Sequence, residues 1–238
     1  MIPLSATMKR VSRPSRASSP AKKSNSAHAK AKAGHIRIIS GQWRGRKLPV
    51  LDTEGLRPTT DRNKETLFNW LMPYLNEARC LDVFAGSGGL GLEALSRYAL
   101  SCDFVELDKS ANAQLKKNLA MLTANNAQAA NVEAANTKAA NTKAANKKDH
   151  SVHQGDALAI LPTLSGKNFD IIFVDPPFNK GLIEPTLSAI EANKLLSNDG
   201  VLYVEHEANL APITLPNHWQ IIKEKRTSAL CYYLIKAA

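Results

Sequence analysis

Apolar and polar positions follow two different periods along most of this 238-residue chain. Short apolar runs that end at glycine or aspartate predict buried strands, and segments with apolar residues every three to four positions predict helices. The predicted strands cover 79–86, 102–108, 151–156, 169–175 and 200–207, and the predicted helices cover 61–72, 89–99, 110–122, 157–164 and 181–196. This alternation indicates right-handed βαβ units and a mostly parallel sheet covered on both faces.

The two ends of the pattern differ from its centre. "HWQIIKEK" and "ALCYYLIK" are separated only by "RTS", which is too short for a helical crossover, so we expect a C-terminal antiparallel hairpin. Before the first core strand, "GQWRGRKLPV" predicts a small N-terminal β-hairpin that leads to the 61–72 helix. The fold class is therefore α/β, with a mostly parallel seven-stranded sheet and a small N-terminal extension.

The positive charge is concentrated at the N-terminus. The formal net charge is +10, and residues 1–34 contain eight Lys or Arg residues and no acidic residue. We predict a disordered basic tail over 1–34 that adds non-specific affinity for phosphates, although an acid-free, Ser- and Arg-rich start also fits an organelle transit peptide. The domain itself is predicted to cover 35–238, interrupted by a low-complexity insert at 126–150 that contains "AANTKAANTKAANKK".

Composition also limits the class of protein. No apolar run approaches the length needed to span a bilayer, so we expect a soluble protein with no membrane partner. We also expect it to be cytoplasmic and monomeric. Cys80, Cys102 and Cys231 form no CxxC pattern, and the histidines show no ligand spacing. We therefore expect neither a disulfide framework nor a metal site.

A glycine-rich turn between the first core strand and its helix predicts a nucleotide cofactor. "FAGSGGLG" has the G-x-G-x-x-G pattern, in which glycines let the backbone approach a ligand and let the helix pack on the strand. The pattern consists of Gly86, Gly88 and Gly91. Asp82 precedes the turn, and Asp156 ends the third strand. Glu106 ends the next strand after the turn, and a carboxylate at that place suits the two hydroxyls of a ribose. These features fit a nicotinamide dinucleotide as well as other adenosine cofactors.

The end of the fourth strand distinguishes these cofactors. "VDPPF" places Asp175 before Pro176, Pro177 and Phe178, and the prolines provide carbonyls but no N–H donors. An exocyclic amine on a base is a poor nucleophile because its lone pair is delocalised into the ring. Asp175 and the Pro176 carbonyl can accept its two N–H protons and direct the lone pair toward an electrophilic methyl, while Phe178 stacks on the base.

With these motifs, the chain from His35 onward resembles the class I S-adenosylmethionine-dependent methyltransferases, and specifically the bacterial 16S ribosomal RNA (guanine-N2)-methyltransferase family RsmD. The stretches that carry the resemblance are "RIISGQWRGRKL", "GLRPTTDRNKETLFNWL", "LDVFAGSGGLGLEALSRYA", "FVELD" and "VDPPF". The resemblance implies a Rossmann-like fold and small-subunit rRNA, or the assembling subunit, as partner. It implies that S-adenosylmethionine is held by Asp82, Phe84, Gly86, Ser87, Gly88, Gly91, Glu106 and Asp156, and that the guanine is held by Asp175, Pro176, Pro177 and Phe178.

The N-terminal hairpin predicts a surface that grips RNA phosphates beside the active site. This surface consists of Trp43, Arg44, Arg46, Lys47 and Arg57. Two alternatives for the whole protein also fit the sequence. One is a DNA adenine-N6 or cytosine-N4 methyltransferase, which shares the D-P-P-aromatic pattern, and the other is a non-catalytic RNA-binding assembly factor.

Overall fold

The computed structural model describes residues 34–50, 61–136 and 150–237. The predicted tail therefore lies outside the described residues except for Gly34, which pairs with Val50 and belongs to the fold. The predicted insert lies outside them except for 126–136 and His150.

The helices are α1 (Asp61–Leu75), α2 (Gly89–Ser96), α3 (Lys109–Asn136), α4 (Ala157–Ile160), which continues into a 3-10 helix (Leu161–Leu164), and α5 (Ile183–Ala192). The strands are β1 (Gly34–Arg37), β2 (Lys47–Val50), β3 (Arg79–Asp82), β4 (Ser101–Glu106), β5 (Ser151–Gln154), β6 (Phe169–Val174), β7 (Leu196–Glu207), β8 (Trp219–Arg226) and β9 (Leu230–Ala237).

Seven strands form the main sheet in the order β5-β4-β3-β6-β7-β9-β8. The five strands β3 to β7 pair in parallel, whereas β9 pairs antiparallel with both β7 and β8. The predicted mostly parallel seven-stranded sheet with a terminal hairpin is therefore confirmed. The chain leaves β3 toward β4 and β5 on one side and later returns to β6 on the other, so the carboxyl ends of β3 and β6 border the crevice where ligands bind in such sheets.

Strand β6 shows why the central strands are apolar at consecutive positions. Ile171 and Phe173 pack in the core on the side of α1, α2 and α3, while Ile172 and Val174 pack in the core on the side of α4 and α5. All four side chains are fully buried, as expected for a parallel strand with helices on both faces.

The small β1–β2 sheet is fixed to α2 by a buried carboxylate. Glu93, which is fully buried, accepts hydrogen bonds from the backbone N–H groups of Ile39 at 2.8 Å and Ser40 at 3.0 Å. A Cβ atom on Gly41 would lie 1.9 Å from the carbonyl oxygen of Ser96, so only glycine fits this turn. The predicted N-terminal hairpin is present, and these contacts place it against helix α2.

Two helices end earlier than the sequence pattern predicts. Helix α5 stops at Ala192 instead of 196 because Lys194 takes a left-handed conformation, with φ of 50°. The N–H of Leu195 then donates to the Ile190 carbonyl at 3.1 Å, which is the hydrogen bond of a Schellman end. Helix α2 ends in the same way, with Tyr98 at φ of 73°. Neither position is a glycine, so no stop signal is present there in the sequence.

Two other helices run further than predicted. Helix α1 continues through Pro73 to Leu75, and α3 continues past 122 to Asn136, into the predicted insert. A proline near a helix end removes one hydrogen bond but is tolerated when the remaining turn packs on the core, and Leu75 is buried.

The three cysteines lie in the core and are not linked to one another. Cys80, Cys102 and Cys231 are buried and free. Within residues 34–50, 61–136 and 150–237, no group of three or more His, Cys, Asp or Glu side chains is arranged to hold a metal ion. Across the same ranges, no helix combines the length and apolar character that crossing a membrane requires.

Candidate active site

A cleft of about 800 Å³ lies at the carboxyl ends of β3, β4, β5 and β6. Loops that follow these four strands meet there because parallel strands point their carboxyl ends at the same edge of the sheet. Ten of the residues predicted from sequence line it: Asp82, Phe84, Gly86, Ser87, Glu106, Asp156, Asp175, Pro176, Pro177 and Phe178. The structure thus brings the glycine-rich turn and the D-P-P-F segment, which are nearly 90 positions apart in the chain, into one concave surface.

Glu106 is held by backbone donors from two sides. One carboxylate oxygen accepts from the N–H of Gly86 at 2.6 Å, and the other accepts from the N–H of Asp108 at 2.6 Å. Gly86 has a φ of 50°, a conformation in which glycine has no Cβ penalty. The side chain is therefore fixed at the end of β4, and each oxygen retains a lone pair for a further donor.

Gly88 and Gly91 do not line the cleft, although the sequence analysis assigned them to the cofactor. A Cβ atom on Gly88 would lie 2.4 Å from Cδ1 of Leu115, and a Cβ atom on Gly91 would lie 2.3 Å from Cε1 of Phe104. Both positions face the protein interior. The physical reason for these glycines is the close packing of α2 on α3 and β4.

Asp82 is a buried carboxylate at the floor of the cleft. It is 3% exposed, and one oxygen accepts the N–H of Gly91 at 3.0 Å. Burial raises the pKa of Asp82 to about 7, the Gly91 hydrogen bond lowers this pKa and the charge of Glu106 raises it. The protonation of Asp82 therefore changes near neutral pH.

Asp156 begins helix α4. Its carboxylate accepts the backbone N–H groups of Leu158 at 2.9 Å and Ala159 at 3.2 Å, both at the same oxygen. This is an ordinary N-cap arrangement. Asp156 lines the cleft and is exposed, so the predicted contact with adenine can use its other oxygen.

The D-P-P-F segment forms a short loop beyond β6. Asn179, which follows Phe178, takes a left-handed conformation with φ of 59°. The backbone N–H of Asn179 donates to the carboxylate of Glu207 at the end of β7. Because neither proline can donate a hydrogen bond, this contact with Glu207 fixes the far end of the loop.

A second carboxylate on β7 lies beside Asp175. Val174 is paired with Val204, so Asp175 and Glu205 are the next residues on two neighbouring parallel strands. Burial raises the pKa of Asp175 well above its usual range, and the charges of Glu205 and Asp82 raise it further. Burial also raises the pKa of Glu205 to about 7, although the Tyr203 hydroxyl, which donates to it at 2.8 Å, lowers this pKa.

The cleft also contains residues that the sequence analysis missed. Lys64, on the second turn of α1, lines the cleft although it is only 3% exposed. Leu107, directly after Glu106, is an apolar cleft residue that is 66% exposed. Leu107 could have been found from its position at a strand end, whereas a lysine inside a helix gave no signal.

The predicted RNA-gripping surface is only partly available. Trp43 is 4% exposed and belongs to the hydrophobic core, so it cannot stack on a base without unfolding. Arg44 and Lys47 are exposed and Arg46 is half-buried. Arg57 lies outside the described residues. The exposed part of the predicted surface is therefore basic but not aromatic.

Comparison with known proteins identifies the family. The family model described as "Conserved hypothetical protein 95" matches residues 36–152 and 129–236. The ribosomal RNA small subunit methyltransferase D of Escherichia coli K12 is 46% identical over 202 residues, covering 85% of this chain and 90% of that protein. The protein of the same name from Haemophilus influenzae is 45% identical over 201 residues, covering 84% of this chain and 93% of that protein. The solved structure of yhhF from Escherichia coli superposes with a TM-score of 0.71 at 45% identity, covering 86% of this chain and 98% of that one. The chain belongs to the ribosomal RNA small subunit methyltransferase D (RsmD) family.

Proposed function

We propose that this protein transfers a methyl group from S-adenosylmethionine to the exocyclic N2 of a guanine in 16S, small-subunit ribosomal RNA. The names of the relatives support small-subunit ribosomal RNA as the substrate. The observation that carries the chemistry is the single cleft in which the glycine-rich turn, Glu106 and the D-P-P-F loop meet. This combination supports an adenosine cofactor beside a site that accepts the protons of an aromatic amine.

The residues at the β4 end of the cleft fit the adenosine part of the cofactor. The carboxylate of Glu106, fixed by Gly86 and Asp108, can accept hydrogen bonds from both ribose hydroxyls. Leu107 presents an apolar surface for the adenine ring. Asp156 can accept from the adenine amino group. The bound cofactor supplies a methyl group that is electrophilic because it is attached to a sulfonium.

The residues at the β6 end fit the base. Asp175, in its ionised form, and the Pro176 carbonyl accept hydrogen bonds from the two N–H groups of guanine N2, which turns the nitrogen lone pair toward the methyl group. The bound cofactor would supply the methyl group to this lone pair, and Asp175 would take up the N–H proton that the methylated amine loses and pass it to water. Phe178 stacks on the base, and the Glu207 contact with Asn179 keeps Phe178 in place. Most of the rate enhancement comes from this positioning.

The exposed basic residues of the N-terminal hairpin support contact with RNA phosphates. Arg44 and Lys47 are exposed, and the hairpin is fixed to α2 by Glu93. We assign these side chains, with Arg46 and Arg57, to register and orientation of the RNA, since phosphate contacts carry no base specificity.

The test replaces Asp175 and measures both catalysis and cofactor binding. Asp175→Ala should lower kcat on ribosomal RNA by at least about 100-fold, and Asp175→Asn should fail similarly because its amide can turn a donor toward the amine. Affinity for S-adenosylhomocysteine, measured by calorimetry, should change little. The matched control is Asp170→Asn, which changes an aspartate of the same strand that pairs with Arg79 away from the cleft.

Labelled S-adenosylmethionine with separate rRNA, tRNA and DNA pools identifies the substrate class, and mass spectrometry identifies the methylated base. Methylation of DNA alone would favour the adenine-N6 or cytosine-N4 alternative. Cofactor binding with no transfer to any pool would favour a non-catalytic RNA-binding factor. A folded Asp175→Ala protein that still produces full N2-methylguanine would refute the mechanism.

A further inference from the structure

A second carboxyl group, that of Glu205, lies beside Asp175 at the end of the cleft that fits the base. Val174 of β6 is paired with Val204 of β7. Asp175 and Glu205 follow this pair on two neighbouring strands, which lie about 5 Å apart in a sheet. Glu205 is 4% exposed and does not line the cleft. A role for Glu205 in the reaction must therefore act through a residue that does line it.

The side chains of Asp175 and Glu205 point to the same face of the sheet. Two residues earlier on the same strands, the rings of Phe173 and Tyr203 lie 6.5 Å apart, and side chains two positions apart on a strand share a face. Asp175 keeps this alternation because the residue before a proline favours an extended backbone. The two carboxyl groups are therefore neighbours on the face that α1 covers.

The hydroxyl of Tyr203 makes the two carboxyl groups unequal. It donates to one oxygen of Glu205 at 2.8 Å, and the Tyr203 side chain is almost completely buried. A donated hydrogen bond stabilises the ionised form of a carboxyl group. When the pair holds one proton, the negative charge therefore resides on Glu205 and the proton on Asp175. Burial raises the pKa of Asp175 well above its usual range, and the charge of Glu205 raises it further, in agreement with this assignment.

We propose that Glu205 is a positioning residue that acts through Asp175: the negative charge of Glu205, fixed by the Tyr203 hydroxyl, directs the proton of the methylated amine onto Asp175. This inference rests on the proposed function. After methylation the amine nitrogen is positively charged and must lose one proton. The N–H bond breaks with its electron pair remaining on nitrogen, the proton binds an oxygen of Asp175, and Asp175 then releases it to water.

This arrangement predicts a specific pH dependence. Methyl transfer requires ionised Asp175, so kcat/KM should rise with pH as Asp175 of the free enzyme loses its proton. The charge of Glu205 moves this rise to higher pH, and removing that charge should move it back to lower pH. Other titratable groups near the pair stay the same in every variant below. They are Asp82 of β3, Tyr232 of β9, which is paired with Glu205, and Lys64 of α1, which lines the same cleft as Asp175.

The experiment measures kcat/KM for methyl transfer to small-subunit ribosomal RNA from about pH 5 to about pH 9. In Glu205→Gln the amide oxygen can still accept the Tyr203 hydroxyl, but the charge is gone. The midpoint of the rise should fall by about 1 pH unit or more, with activity retained above it. Tyr203→Phe keeps both carboxyl groups and removes only the donor, so its midpoint should fall by less. A purely structural role would change the height of the profile and leave the midpoint unchanged.

Glu224→Gln is the matched control because it makes the same substitution at an exposed position of β8, and it should keep the wild-type midpoint. An unchanged or higher midpoint in either Glu205→Gln or Tyr203→Phe, or an equal fall in Glu224→Gln, would overturn the proposal. A wild-type kcat/KM that does not rise with pH would overturn it as well. If Glu205→Gln does not fold, the midpoint of Tyr203→Phe decides. A wild type that transfers no methyl group at any pH contradicts the proposed function itself.

Discussion

The buried carboxylate of Asp82 predicts a pH-dependent loss of stability. Burial raises its pKa from 3.8 to about 7 in the folded protein, whereas the unfolded chain has the ordinary value. Between about pH 4 and pH 7 the folded state therefore holds a proton that the unfolded state has lost, so the free energy of unfolding decreases as the pH rises through this window. Above about pH 7 this decrease is complete. The penalty that ionised Asp82 imposes on the free energy of unfolding is then constant.

The variant Asp82→Asn removes this penalty and keeps the local geometry. The amide oxygen can still accept the N–H of Gly91, and the residue volume hardly changes. With pKa values of 3.8 in the unfolded chain and about 7 in the folded protein, the ionisation of Asp82 lowers the free energy of unfolding by roughly 2–3 kcal/mol more at pH 8 than at pH 5. The stability gained by Asp82→Asn should therefore be larger at pH 8 than at pH 5 by about this amount.

Urea unfolding of both proteins at the two pH values measures the difference. Glu205 is present in both proteins. The charge of Asp82 also raises the pKa of Asp175, so Asp82→Asn lowers that pKa as well and adds to the difference in the same direction. Asp156→Asn is the matched control because it makes the same substitution at an exposed position of the cleft. Equal effects of Asp82→Asn at pH 5 and pH 8 would show that the folded protein does not hold Asp82 protonated.

Two further substitutions test the packing and the loop. Gly91→Ala should destabilise the protein by about 1–3 kcal/mol, because its Cβ would lie 2.3 Å from Phe104 and 2.7 Å from Cys102; a thermal melt with no change would contradict this packing role. Glu207→Ala should raise KM for RNA several-fold by releasing Asn179, whereas Glu207→Gln, which keeps an accepting oxygen, should be close to wild type. Equal KM values for all three proteins would exclude this positioning role.

Much of the site was predictable because its parts are local motifs. Each of three segments carries its signal within a few residues. They are a strand followed by glycines, a strand that ends in a carboxylate and a strand followed by D-P-P-F. Parallel strands bring such ends together without further information. The sequence alone therefore predicts that the glycine-rich turn, Glu106 and the D-P-P-F loop meet in one cleft.

The tertiary structure decided the features that depend on distant neighbours. The burial of Trp43 follows from the packing of β1 and β2 on α2, and the interior direction of Gly88 and Gly91 follows from the approach of α2 to α3 and β4. The end of α5 at Ala192 depends on Lys194 accepting a left-handed conformation, which local propensity disfavours.

The same distinction applies to the charges. The sequence determined which carboxylates end the strands, but the raised pKa of Asp82 and Asp175 and the place of Lys64 at the cleft were set by folding. Desolvation and proximity depend on what covers a group after the chain has packed, and the covering residues come from segments far away in the sequence. Motifs within a few residues therefore determined where this protein holds its ligands, and packing between distant segments determined the protonation and charge of the groups that hold them.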